Sequence, residues 1–139
     1  MNRNSVALLA TALGLMTASV VAGAASPANT IAARQANFKV MGKSFKAIMD
    51  QMKAPTADFA VIKNSADNLA KAATKVHGFF PKGTGPEAGV KTHALPAIWE
   101  KPAEFKLALG KLVDGTKAMQ KAAKTNDIAA VKAAFPGAG

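Results

Sequence analysis

The chain has 139 residues, 50% of them hydrophobic, enough for one compact domain and too few for two. It has no cysteine and no tyrosine, one tryptophan, and a formal charge of +10. Disulfides, thiolate catalysis and cysteine-held metals are excluded, and the recurrence of alanine and lysine with few aromatics favours an all-α protein.

Residues 1 to 25, "MNRNSVALLATALGLMTASVVAGAA", carry Arg3 in a short polar start, an apolar run, and small residues at its end. That order is the pattern of a secretory signal, with cleavage expected near Ala24 or Ala25. Residues 26–139 then form one exported domain.

Apolar residues at Ile31, Phe38, Met41, Phe45, Ile48 and Met52 step by three, four and seven, which predicts a first helix from Asn29 to Lys53. Pro55 closes it and Thr56 is placed to cap the next. The second helix carries Phe59, Ile62, Ala66, Leu69, Ala73, Val76 and Phe80 on the same spacing, so the two should lie antiparallel. Between Gly78 and Lys101 runs "GFFPKGTGPEAGVKTHALPAIWEK", whose prolines and glycines forbid a continuous helix. Its aromatic and apolar residues, Phe79, Phe80, Ile98 and Trp99, predict an ordered crossover.

Pro102 suits a first helical position, and Phe105, Leu109, Leu112, Thr116, Met119 and Ala123 mark the stripe of a third long helix. "TNDIAAVKAAF" offers Asn126 as a cap, with Ile128, Val131 and Phe135 opening a fourth stripe. The fold expected is an antiparallel four-helix bundle with a long crossover between helices 2 and 3. Three helices of about 20 to 25 residues would be roughly 30 to 37 Å long, against about 14 Å for the fourth. Bundles match their helix lengths, so the sequence reads as one whose fourth helix is incomplete.

One charge falls on a core stripe. Arg34 stands three residues after Ile31 and four before Phe38, where a bundle wants an apolar side chain. It either snorkels out near the helix end or meets an anion that enters the bundle. Phe38 and Met41 follow on that stripe beside Gly42, as core or as one wall of a flat pocket.

The remaining chemistry is mostly exclusion. The lysines are spread along helices without aromatic interleaving, which argues against nucleic acid and leaves a basic surface suited to acidic partners. The three glutamates, Glu87, Glu100 and Glu104, all lie in or beside the crossover, so the facing glutamates and Glu-x-x-His pairs of a di-iron bundle are missing. "GTG" at 83–85 lacks the following Gly-Lys-Ser/Thr of a phosphate loop.

The stretch "ARQANFKVMGKSFKAIM" at 33–49 resembles the opening helix of cytochrome c′, the class II c-type cytochromes of bacterial periplasms. "FFPKGTG" at 79–85 is similar to that family's turn after the second helix, "LPAIW" at 95–99 to its crossover, and "EFKLALGKL" at 104–112 to the start of its third helix. "DIAAVKAAFPGAG" resembles the run before the haem attachment site. The resemblance spans residues 29 to 139.

It implies a periplasmic haem protein, not an enzyme, that transfers electrons or binds small gases such as NO or CO, with acidic redox proteins as partners and room for a homodimer. Haem c would be the cofactor, attached through a Cys-x-x-Cys-His segment that this chain lacks. That segment, with the axial histidine, is expected beyond residue 139. His77 and His93 do not replace it, since neither lies on the fourth helix. The resemblance places Arg34 at a haem propionate, Phe38 over the open face of the iron, Met41 in the pocket lining, and Phe80, Thr84, Trp99 and Phe105 around the haem edge. The alternative is an exported helical bundle without haem, acting in binding or structure.

Overall fold

A computed structural model describes residues 25–137. The expected leader thus lies outside the described residues except for Ala25. Helix α1, Pro27–Lys53, starts where Ser26 accepts a hydrogen bond from the Asn29 amide at 3.2 Å and Pro27 supplies a preset φ. It ends at Ala54, whose extended backbone leads into Pro55.

Helix α2, Phe59–Lys75, is capped by Asp58, whose carboxylate accepts from the amides of Ala60 and Val61. The sequence expectation of a Thr56 cap is therefore corrected by two residues. A carboxylate offers a full charge to two free N–H groups at the positive end of the helix dipole, and the Thr56 hydroxyl comes too early in the chain. Gln51 of α1 accepts from the Asp58 amide at 2.8 Å, which fixes the corner between the helices.

The crossover is ordered, as its apolar content required. A 3-10 turn at Val76–Phe79 extends α2, another occupies Pro86–Ala88, and a single helical turn, α3, spans Ala97–Glu100. Gly83 and Gly89 take φ of 82° and 68°, which side-chain-bearing residues rarely adopt. Helix α4, Pro102–Lys124, begins on proline, and Lys101 pairs with Glu104 at 3.3 Å across its first turn.

A tight turn through Asn126, at φ 56°, leads to helix α5, Ile128–Ala134, and a final 3-10 turn at Phe135–Gly137. Asp127 caps α5 through the Ala129 amide at 2.8 Å, so Asn126 makes the turn and its neighbour makes the cap. That division of labour fits asparagine's tolerance of the left-handed region.

The architecture is an all-α, antiparallel four-helix bundle of α1, α2, α4 and α5, with α3 in the crossover. Its core holds the fully buried Ile31, Ile48, Ile62, Leu69, Val76, Met119 and Val131. Alanines 66, 70, 72, 73, 122 and 123 are buried with them, and their small size lets the helices approach closely. Asn37 donates to the Ala72 carbonyl at 2.9 Å and Gln120 to Asp67 at 2.7 Å, polar ties that set the register of α2 against α1 and α4. Phe45 of α1 meets Phe135 edge to face at 5.9 Å. The N-terminal ends of α1 and α4 therefore stand beyond the reach of α5, and the candidate site lies there.

Candidate functional site

Five parts of the chain converge at that end. Arg34 and Phe38 sit one turn apart on α1, and Phe105 sits in the first turns of α4. Phe80 arrives from the end of α2, and the crossover brings Thr92, His93 and Ala94, with Ile98 of α3 beyond them. With Gln35 they enclose a cavity of about 450 Å³ whose walls are mostly apolar.

Phe80 is its hub. The ring packs edge to face on Phe105 at 5.0 Å and tilts against Trp99 at 6.1 Å. The Arg34 guanidinium lies over the Phe80 ring at 4.6 Å from its centroid, a cation–π contact. The Trp99 indole donates to the carbonyls of Phe80 and Pro81, each at 3.1 Å, so the ring is fixed by its own backbone as well as by stacking. Gly85 allows this packing, since a Cβ there would come within 3.0 Å of the Trp99 ring.

Arg34 is 3% exposed, so it does not snorkel. Its Nη1 donates to the Phe79 carbonyl at 3.2 Å and the Thr84 hydroxyl at 3.3 Å. Its Nη2 donates to the Thr84 carbonyl at 2.9 Å and the Thr92 hydroxyl at 2.7 Å. All four acceptors are neutral, and burial pulls the guanidinium below its ordinary pKa because no anion offsets the loss of water. The result is a positive charge at the cavity's edge with no carboxylate partner among the described residues.

Of the residues expected from sequence, Arg34, Phe38, Phe80 and Phe105 line one cavity. Thr84 lies behind Arg34, buried, its hydroxyl donating a hydrogen bond to the Pro81 carbonyl at 2.8 Å. Trp99 stands behind Phe80 as a support. Met41 departs from its expected place in the pocket lining. It is 5% exposed and belongs to the core with Ile48, Ile62 and Leu69, because its turn of α1 is already covered by α2.

Gln35, Thr92, His93, Ala94 and Ile98 line the cavity without having been singled out for it. Four of the five are in the crossover or α3, where helical periodicity gives no facing. The proximity of Ile98 to Trp99 was the one available signal. His93, set aside for not being on the fourth helix, reaches the cavity from the crossover. Among the described residues no group of three or more His, Cys, Asp or Glu is placed to hold a metal ion.

The arrangement suits a ligand with a flat apolar body and an anionic edge. The sequence model of the family "Cytochrome C′" matches residues 29–139. A cytochrome c′ of Rhodospirillum rubrum is 34% identical over 130 residues, covering 91% of this chain and 84% of that protein. The crystal structure of cytochrome c′ from Rubrivivax gelatinosus aligns with a TM-score of 0.75 at 29% identity, covering 82% of this chain and 88% of that one. A cytochrome c′ variant from Alcaligenes xylosoxidans, solved as its nitric oxide complex, aligns with a TM-score of 0.72 at 27% identity, covering 83% and 88%. With the bundle, the crossover and the matched sequence in agreement, the chain belongs to the cytochrome c′ family.

Proposed function

We propose that this chain is a periplasmic haem protein that carries electrons and binds small neutral gases such as nitric oxide, rather than an enzyme. The observation that supports it most is the apolar cavity edged by an arginine whose charge has no counterion among the described residues. Haem is a flat apolar body with two carboxylate arms, and the residues present fit it. Phe38, Phe80, Ile98 and Phe105 would hold its faces and edge, and Arg34 would set a positive charge near its arms. The chain has no cysteine for a thioether link, so its own hold on haem is noncovalent.

Bound haem supplies a one-electron iron couple and a site for a diatomic gas. The protein's part is to keep water out and to withhold competing ligands. Phe38 serves the second task, since a phenyl ring has no lone pair to offer a metal. At 43% exposure it leaves a way in for a small gas. The Phe80, Trp99 and Phe105 cluster serves the first, lowering the local dielectric and so helping to set the redox potential. Residues 1–25 are the export signal this location calls for, and the basic surface left after Arg3 goes with it favours docking with acidic redox proteins.

Titration of the purified chain with haemin, followed in the Soret region, tests the reading. The expected result is a saturable one-to-one band that shifts when nitric oxide is added to the reduced sample. A linear rise without saturation, equal to that in buffer, would refute it.

A further inference from the structure

The two terminal nitrogens of Arg34 are fully engaged. A guanidinium carries five N–H donors, four of them on the two terminal nitrogens, and those four are committed to Phe79, Thr84 and Thr92. The paired, side-on grip by which arginine holds a carboxylate is unavailable without breaking the straps to the crossover. The charge and the single Nε–H remain, so a second donor facing an anion must come from another group.

Thr92 meets the requirement. Its hydroxyl oxygen accepts from Arg34 Nη2 at 2.7 Å and from the Ala94 amide at 3.1 Å, which uses both lone pairs. Among the described residues the Thr92 hydroxyl donates to none, so its proton is the uncommitted member of the group. Thr92 lines the cavity and is half-buried, and the guanidinium at its back polarises the O–H toward donation.

We propose that Thr92 is the residue that hydrogen-bonds the anionic edge of the cavity's ligand, with Arg34 acting through it as a positioning and polarising charge. The proposal rests on the cavity being a porphyrin site. It adds a crossover hydroxyl to the carboxylate recognition that the charge of the helix arginine provides.

The probe is metal-free protoporphyrin IX, whose fluorescence reports binding without any contribution from iron ligation, compared with its dimethyl ester, which has no carboxylate. The parent chain is expected to bind the free acid at least tenfold more tightly than the ester. Thr92→Val should weaken the free acid about tenfold, the loss of one hydrogen bond to a charged group, and leave the ester unchanged. Thr92→Ser should behave as the parent, and Thr92→Ala, which adds no bulk, should repeat the valine result if the valine variant folds poorly by circular dichroism. Equal losses for both porphyrins would make Thr92 a packing residue and overturn the proposal, as would unchanged binding of the free acid. Failure of the parent chain to bind either porphyrin would overturn the porphyrin-site reading itself and the proposal with it.

Discussion

Replacing Arg34 by methionine sets two effects against each other, and the structure decides which one wins. The change removes a buried charge with no counterion among the described residues, whose desolvation costs several kcal/mol, and a chain of similar length fills the space. On that ground alone Arg34→Met would be stabilising. It also strands the acceptors that the guanidinium satisfies. The buried Thr84 carbonyl and the partly buried Phe79 carbonyl lose their donors, and each buried acceptor left bare costs about 1–3 kcal/mol. Thr84 keeps its bond to Pro81, and Thr92 is half-exposed to water, so neither adds much. The cation–π contact on Phe80 contributes about 1 kcal/mol more. The four hydrogen bonds return part of the guanidinium's desolvation cost, so the stranded carbonyls dominate. We expect a net loss of about 2–4 kcal/mol, which for a domain of this size lowers the melting temperature by about 10 °C. Thermal denaturation followed at 222 nm measures it, and trypsin should cut earlier at Lys82 and Lys91 in the variant as the crossover comes free of α1. A melting temperature equal to or above that of the parent would show that the straps contribute nothing and that the charge is simply a burden.

Three further outcomes are expected. Asp58→Ala should cost about 1 kcal/mol in urea denaturation while Thr56→Ala changes nothing measurable, because only the former removes an acceptor from the start of α2; the reverse ranking would restore the earlier cap. Phe38→Ala, opening the half-exposed wall of the cavity, should speed carbon monoxide association with the haem-loaded, reduced chain by about tenfold, about 1.4 kcal/mol off the entry barrier, in flash photolysis; an unchanged rate would remove Phe38 from the path. After denaturing electrophoresis the haem-loaded chain should show no haem stain, since it has no thiol to form a thioether, and a retained band would contradict the noncovalent hold.

The long helices were legible because each carries an apolar stripe at helical spacing and ends at a proline, a turn residue or an acidic cap. The caps were less so. Thr56 against Asp58, and Asn126 against Asp127, differ by one or two positions between residues that all cap well, and the sequence carries no sign of which amides will be free. Arg34 announced itself as a charge on the wrong face, yet its neutral partners did not, because they come from 45 to 58 residues away in the crossover. Met41 shows the converse. Its stripe position was right for an inward side chain, but the stripe does not say where along the bundle the core stops and the cavity begins. Thr92 and His93 lie in a segment without periodicity, so only folding brings them to the cavity.

The separation in sequence of the Arg34 bonds has a kinetic meaning. The corner held by Gln51 and Asp58 joins residues seven apart and can form as soon as α1 and α2 begin to pair, whereas the Thr84 and Thr92 bonds close loops of 50 and 58 residues. Loops of that length are costly to close before the helices that carry their ends are docked. The strapping of the crossover is thus a late step, made on a bundle that already exists. Changes at Arg34, Thr84 or Thr92 should appear mainly as faster unfolding, with the folding rate nearly preserved. The end of the bundle that carries the cavity is then also the part whose loosening sets how long the native state lasts.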